Sequence, residues 1–282
     1  MDWFWCALIG AVSFSVYSLL VREFLKERGD AQVFALLSDF ATALVLFALT
    51  PFDRLFVRLG LGDGLLVLLA SGLLAGASAL FIWGRQLEEV SRTEMVRQTM
   101  IVWAFLGGVL LLAERFSPLK ALGAALVLVG SAVAFWRRDQ VALTKGLLLI
   151  LAGAVLAGGS SLINRVIVKD HLAPTLYSGA TFLLASLWLV LVLPDASKRI
   201  VSELRLQHVR VAAVALPSSL SIFFVMKAFQ AGEASLVTPV YNSSLMFSVL
   251  AGILFLKERD QLWQKLGGVA LACLGIVFLR FQ

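Results

Sequence analysis

Histidine and cysteine are nearly missing, two of each in 282 residues, and charge is thin, with Asp, Glu, Lys and Arg making up 15% of the chain. His171 and His208 have no metal-like neighbours in sequence, so a histidine-built metal or hydrolase centre is not expected. Cys6 and Cys273 stand in apolar runs, where a thiol acts as a small hydrophobe, and two such residues supply no disulfide framework. A G-x-x-x-x-G-K-[ST] phosphate loop is missing, which excludes a built-in ATPase. The net charge of +6 accompanies no nucleic-acid motif, so the basic excess is assigned to helix ends. No basic stretch precedes the first apolar run and no small-x-small cleavage site follows it; the run is read as a retained span.

What the chain does have is apolar length. It is 60% apolar with a mean hydropathy of +0.92, whereas soluble chains average about 45–50% apolar and about 25% charged. That composition is a membrane protein's. A crossing takes roughly 20 apolar residues, and on that ruler ten spans fall near 3–21, 32–50, 64–86, 91–112, 118–136, 144–164, 175–193, 209–229, 235–256 and 261–280. The longest connection, from Pro194 to about His208, is too small to fold alone. An even count puts both termini on one side.

Half-length comparison finds an internal repeat. Residues 89–123 realign on 233–267 at an offset of 144 with 11 identities, among them Ser91/Ser235, Val96/Val240, Gly108/Gly252, Glu114/Glu258, Arg115/Arg259 and Gly123/Gly267. At an offset of 143, Gly10-Ala11-Val12, Ser18-Leu19, Arg22 and Lys26 meet Gly153-Ala154-Val155, Ser161-Leu162, Arg165 and Lys169. Two halves of five spans, 1–140 and 141–282, must lie in opposite senses because five is odd. The expected fold is an all-α integral membrane protein of ten transmembrane helices in two inverted five-helix repeats, with the solute site where the halves meet.

The run Ala228 to Val240, continuing through Ala251-Gly252-Ile253-Leu254-Phe255-Leu256-Lys257-Glu258-Arg259 to Gly267, resembles the A-x-x-x-x-A-S-x-V-x-P-V, L-F-L-x-E and downstream Gly signature of the ten-span EamA-like branch of the drug/metabolite transporter superfamily. The first-half copy keeps Leu112-Ala113-Glu114-Arg115 but has Met95 where the family favours Pro, and the first span has Ser13-Phe14-Ser15-Val16-Tyr17 in place of the common Trp-Gly pair. The resemblance implies a secondary transporter, many relatives being exporters of amino acids or other small metabolites, working by alternating access around a cavity lined by spans 1, 3, 4, 6, 8 and 9. It implies no enzyme activity and no cofactor.

Charges inside spans cost about 2.5–3.5 kcal/mol each and default to function; Asp39, Glu94, Arg97 and Lys227 qualify. Glu94 and Arg97 are three apart and can pair on one helix face, which would also serve merely to neutralise them. Depth along the spans puts Tyr17, Asp39, Trp83, Glu94 and Arg97 towards one mouth and Ser160, Asn164, Lys227, Tyr241 and Asn242 towards the other. Tyr17/Ser160, Trp83/Lys227, Arg97/Tyr241 and Gln98/Asn242 are repeat counterparts, so two gates are expected over a site between Trp103 and Asn242-Ser243-Ser244. Trp83 and Trp103 read first as packing residues rather than stacking platforms, and scattered serines as back-bonds to their own helix. Glu114-Arg115 and Glu258-Arg259 read as holders of loop amides, and Gly107-Gly108, Gly252 and Gly267-Gly268 as close-approach positions.

The substrate expected is a small polar or zwitterionic metabolite, with protons as the candidate coupling ion. Organic anions or phosphorylated sugars bound by Arg97 and Lys227 are the alternative, with a lipid-handling protein or a scaffold beyond them. Expected partners are the solute and the lipid bilayer, no nucleic acid, in a monomer or homodimer of a bacterial or archaeal inner membrane. Orientation divides the indications: fifteen Lys and Arg fall at odd-numbered loops against seven at even loops and the C-terminus, which predicts both termini outside, while the family resemblance implies both inside.

Overall fold

The structure is a computed structural model and describes residues 2–25, 30–51, 60–136, 144–255 and 261–282. Lys26, Arg54, Arg58, Arg137, Arg138 and the Leu256-Lys257-Glu258-Arg259 run lie outside the described residues. The helices in chain order are α1 (Trp3–Leu25), α2 (Ala31–Ala48), α3 (Leu61–Leu87), α4 (Val90–Arg97), α5 (Met100–Leu111), α6 (Pro118–Phe135), α7 (Lys145–Asp170), α8 (Pro174–Val192), α9 (Ala196–Ala231), α10 (Ala234–Asn242), α11 (Ser244–Phe255) and α12 (Leu262–Arg280). Ten stretches are long and apolar enough to cross a membrane. Their starts follow local rules: Pro118 and Pro174 open α6 and α8 where a missing N–H costs nothing, and the Asp30 carboxylate accepts from the Gln32 and Val33 amides to cap α2.

The fourth and ninth spans, each expected as one helix, are each two. α4 gives way to α5 at Gln98-Thr99, and α10 to α11 at Ser243. Both joints have one cause. The Thr99 hydroxyl donates to the Val96 carbonyl at 2.8 Å and the Ser243 hydroxyl to the Val240 carbonyl at 2.6 Å. The Thr99 and Ser243 amides go to the same carbonyls, at 3.0 and 3.2 Å. Bonding back three residues tightens the turn and ends the α-helical register. Val96/Val240 and Thr99/Ser243 are repeat positions, so the break itself is repeated. Hydropathy, which counts only apolar content, runs straight across both joints.

The eighth span also differs. The connection expected from Pro194 to His208 is mostly helix, and α9 starts at Ala196 and kinks at Gln207 (φ −130, ψ 15). Side chains hold this first part against α2: Arg199 donates to Asp30 at 2.6 Å, the Asp30 amide donates to Glu203 at 3.2 Å, and Gln207 donates to Glu203. Charge along 198–205 made it look like a loop, whereas those charges are its fastenings.

The two halves interlock about a pseudo-two-fold axis. α3 lies against α7 and its counterpart α9 against α1, while α2 meets α8 and α6 meets α12. The α6 and α12 backbones approach so closely that a Cβ placed on Gly130 would sit 2.5 Å from the Gly268 carbonyl, and one on Gly268 equally close to that of Gly130. Fastenings between span ends respect the topology. Asp2–Arg280 (2.7 Å), Asp63–His171 (2.7 Å) and Lys120–Glu233 join the termini and even loops, whereas Glu88 with Thr144 and Asp30 with Arg199 join odd loops.

Candidate transport site

The charges of the fourth span are not a simple pair. Glu94 is buried, and its carboxylate takes Arg85 from the end of α3 at 2.6 Å on one oxygen and Arg97 from its own helix at 2.8 Å on the other. Two guanidiniums offset the cost of burying one carboxylate. They also leave one positive charge in excess.

Beyond this triad the α4–α5 joint carries a buried amide: Gln98 is 1% exposed, and neither its oxygen nor its nitrogen has a hydrogen-bond partner among the described residues. Unsatisfied amide atoms inside a protein are uncommon, and each calls for an explanation such as strain, an ordered water or a ligand. At the second joint the counterpart Asn242 is satisfied, donating to the Thr238 carbonyl at 2.9 Å. Ser15 of α1 props this joint by donating to the Ser244 carbonyl at 2.7 Å.

An aromatic line crosses between the halves. Phe14 lies 5.6 Å from the rings of both Tyr17 and Tyr241, and the Tyr241 hydroxyl shares a hydrogen bond of 3.1 Å with Ser221 of α9. Tyr241 is within electrostatic range of Arg97, and Tyr17 of Asp39 and Arg85. Tyr17, Asp39, Arg97 and Tyr241 are thus drawn towards one region, although depth along the spans had assigned Tyr241 to the opposite mouth.

Other expected site residues stand elsewhere. Asn164 accepts from the Tyr177 hydroxyl at 2.6 Å, and Lys227 donates to Gln230 at 3.3 Å near the other end of α9. Trp83 and Trp103 are each 39% exposed; Trp83 helps line a shallow pocket with Gln32 and Leu189, and the Trp103 stem lies against Gly158 of α7. A separate cavity of about 310 Å³ between α3, α5 and α7 has only apolar walls, such as Leu66, Leu111 and Ile163, and offers nothing to a polar solute.

Two important residues escaped the reading of the sequence as site residues. Arg85 looked like a loop cation, and only its position nine residues before Glu94 connects the two. Glu114 was read as a holder of loop amides without a partner in view; it reaches across to the second half and accepts from the Ala234 amide at 2.6 Å, the Ser235 amide at 3.0 Å and the Ser235 hydroxyl. That carboxylate caps α10 and ties the first half to the second on the even-loop side. Gly108 makes room for it, since a Cβ there would lie 2.4 Å from a Glu114 oxygen.

Ten spans, an inverted repeat and two broken helices, the first bearing buried charge and an unsatisfied amide, define a multi-pass integral membrane protein of the transporter class. The chain belongs to the EamA-like transporter family, whose model matches residues 1–136 and again 144–281. A solved structure titled "Crystal structure of protein" aligns with a TM-score of 0.73 over 98% of this chain and 92% of that one at 15% identity, a likeness of fold. The search of curated proteins gives no match.

Proposed function

We propose that the protein is a secondary active transporter that exports small polar metabolites, amino acids foremost, by alternating access around a site between its two broken spans. One observation carries the reading: the pseudo-symmetry is broken around α10 and α7. On the even-loop side α10 packs against α5, α6 and α7, and α7 against α9. The counterpart approaches, of α4 to α11, α12 and α1 and of α1 to α3, are not made to a comparable extent among the described residues. An inverted repeat whose halves exchange these two arrangements opens first to one side and then to the other.

The chemistry of the region favours a zwitterion. The surplus positive charge of Arg85 and Arg97 over Glu94 suits a substrate carboxylate, and the free Gln98 amide oxygen suits an ammonium. The same surplus supports the second reading, a carrier of organic anions or phosphorylated sugars. Counterflow of pooled labelled amino acids into liposomes holding purified protein tests the first: uptake above empty liposomes supports it, and none rejects amino acids as the cargo. Competition separates the readings: unlabelled organic anions or phosphorylated sugars that block the counterflow better than neutral amino acids favour the second.

For a bacterial or archaeal inner membrane we take the orientation from the Lys and Arg distribution, with odd loops cytoplasmic and both termini outside. The Asp2–Arg280 pair keeps the two ends together on one face. A Cys placed at position 2 or 282, in a background without Cys6 and Cys273, is expected to react with an impermeant thiol reagent on intact cells. Protection there, with labelling of a Cys at Thr144, reverses the assignment.

A further inference from the structure

We propose that Asp39 is the proton-binding group of this carrier, the carboxyl whose protonation on one side and release on the other couples a proton gradient to solute movement. The proposal rests on the transporter reading above. Its first ground is isolation. Glu94 is clamped by Arg85 and Arg97, Glu114 by three donors, and Glu203 by Gln207 and the Asp30 amide. Asp39 has neither an ion pair nor a hydrogen bond, a condition it shares among the described acids of the spanning helices only with Asp170, which stands at the very end of α7 rather than inside a span.

Depth is the second ground. Asp39 is eight residues into α2 and nine from its end, so about 12 Å of helix precede it and about 13 Å follow. It occupies the middle of the span, where an ion without a partner is most costly. Its helix face is the third. Thr42, Ala43 and Leu46 beside it are buried, whereas Phe40 and Leu44 on the other face are 40% and 53% exposed. Asp39 faces the bundle and is only half-buried. The hydroxyls of Ser38 and Thr42, which flank it, are buried without partners, a polar lining along the same stretch of helix.

The surroundings supply no fixed counter-ion. From α1 the group in electrostatic range is the Tyr17 phenol. α3 contributes Arg85, already committed to Glu94. α8 has no Asp, Glu, Lys, Arg or His along its length. α9 carries Lys198, Arg199, Glu203, Arg205 and His208 in and just beyond its first part, with Arg199 bonded to Asp30 and Glu203 to Gln207, then Arg210 bonded to the Phe24 carbonyl and, towards its C-terminal end, Lys227 bonded to Gln230. A fixed cation would hold Asp39 ionised in every state of the cycle. Without one, the carboxylate sheds its desolvation cost by taking a proton from water on one side, and returns that proton when the site opens to the other. The step moves one proton on and off a carboxyl oxygen, with no other bond made or broken.

Dicyclohexylcarbodiimide, which reacts with protonated carboxyls in apolar surroundings, reads this directly on purified protein mapped by mass spectrometry. The expected result is an adduct on Asp39 that grows as pH falls, is lost in Asp39→Asn and does not form on Glu94. In liposomes with an imposed pH gradient and the pooled amino acids as probe, Asp39→Asn loses gradient-driven accumulation and its counterflow becomes independent of pH, whereas Asp39→Glu keeps a pH dependence with a displaced midpoint. No adduct on Asp39, or gradient-driven accumulation by Asp39→Asn equal to wild type, overturns the proposal. A wild-type protein that forms the pH-dependent adduct but moves no amino acid rejects the cargo and supports the proton site.

Discussion

The two broken spans share a hinge and differ in everything around it. Thr99 and Ser243 make the same back-bond at repeat positions, but the first joint is charged and incompletely satisfied while the second is neutral and supported. Around the first stand Glu94 with its two arginines and the unpartnered Gln98. Around the second, Asn242 bonds its own helix, Ser15 holds the Ser244 carbonyl, and Glu114 caps α10. Where α1 offers Ser15, the other half offers Gly158, whose Cβ position would lie 3.1 Å from the Met100 carbonyl and which has no hydroxyl to give. A duplicated fold thus supplies two equivalent breaks, one with its amide satisfied and its first turn capped, the other with buried charge and an unpartnered amide.

The largest effect that would test this division is on the fastening. Glu114→Ala leaves the Ala234 and Ser235 amides at the start of α10 without their charged acceptor; hydrogen bonds to a charged group contribute about 1.5–3 kcal/mol each. The even-side-closed state should lose about 3 kcal/mol, a roughly hundredfold change in population. Alkylation of a Val237→Cys reporter beneath the cap should speed up accordingly and transport should be lost. An unchanged alkylation rate would mean that Glu114 does not hold that side shut. Gly108→Ala, which crowds the same carboxylate, should move the reporter in the same direction by less.

A middle-sized effect compares the counterparts Arg97 and Tyr241. Arg97→Ala removes one of two charged partners from a buried carboxylate, and Arg85 remains, so a loss of about 1.5–3 kcal/mol and at least about tenfold in counterflow rate is expected. Tyr241→Phe removes one neutral hydrogen bond to Ser221, about 0.5–1.5 kcal/mol and a few-fold in rate. Equal losses would show that the two joints carry the solute alike, against the division drawn here.

Much of the architecture was legible before any coordinates. Span count, repeat and inversion follow from apolar length and an offset of 144, because lipid makes the hydropathy signal strong and regular. The hinges were not legible, since a hydroxyl that bonds back and one that does nothing look alike in a sequence. Glu94 with Arg97 could be read from a spacing of three; Arg85 could not, because its meeting with Glu94 depends on the turn between α3 and α4. The partner of Glu114 lies 120 residues away, beyond any local pattern. The first part of α9 was misread because its charges, which look solvated, bind α2.

The smallest effect separates the hinges themselves. The second broken span carries a further interruption one turn before its joint: Pro239 lies inside α10, has no amide proton and crowds the carbonyl four residues earlier. The first has Met95 at that position and depends on Thr99. Thr99→Val keeps the branched shape and removes only the hydroxyl, so the back-bond to Val96 goes and α4 gains freedom to run on into α5. Ser243→Ala removes the matching hydroxyl where Pro239 and Ser15 still hold the break. One neutral hydrogen bond is at stake in each case, about 0.5–1.5 kcal/mol, so Thr99→Val should slow counterflow about two- to tenfold and Ser243→Ala should leave it close to wild type. Thr99→Ser, which restores the hydroxyl without the methyl, should recover the rate, and adding Pro239→Ala to Ser243→Ala should make the second hinge as sensitive as the first. If Ser243→Ala alone costs as much as Thr99→Val, proline adds nothing and the hydroxyl is the whole hinge in both halves.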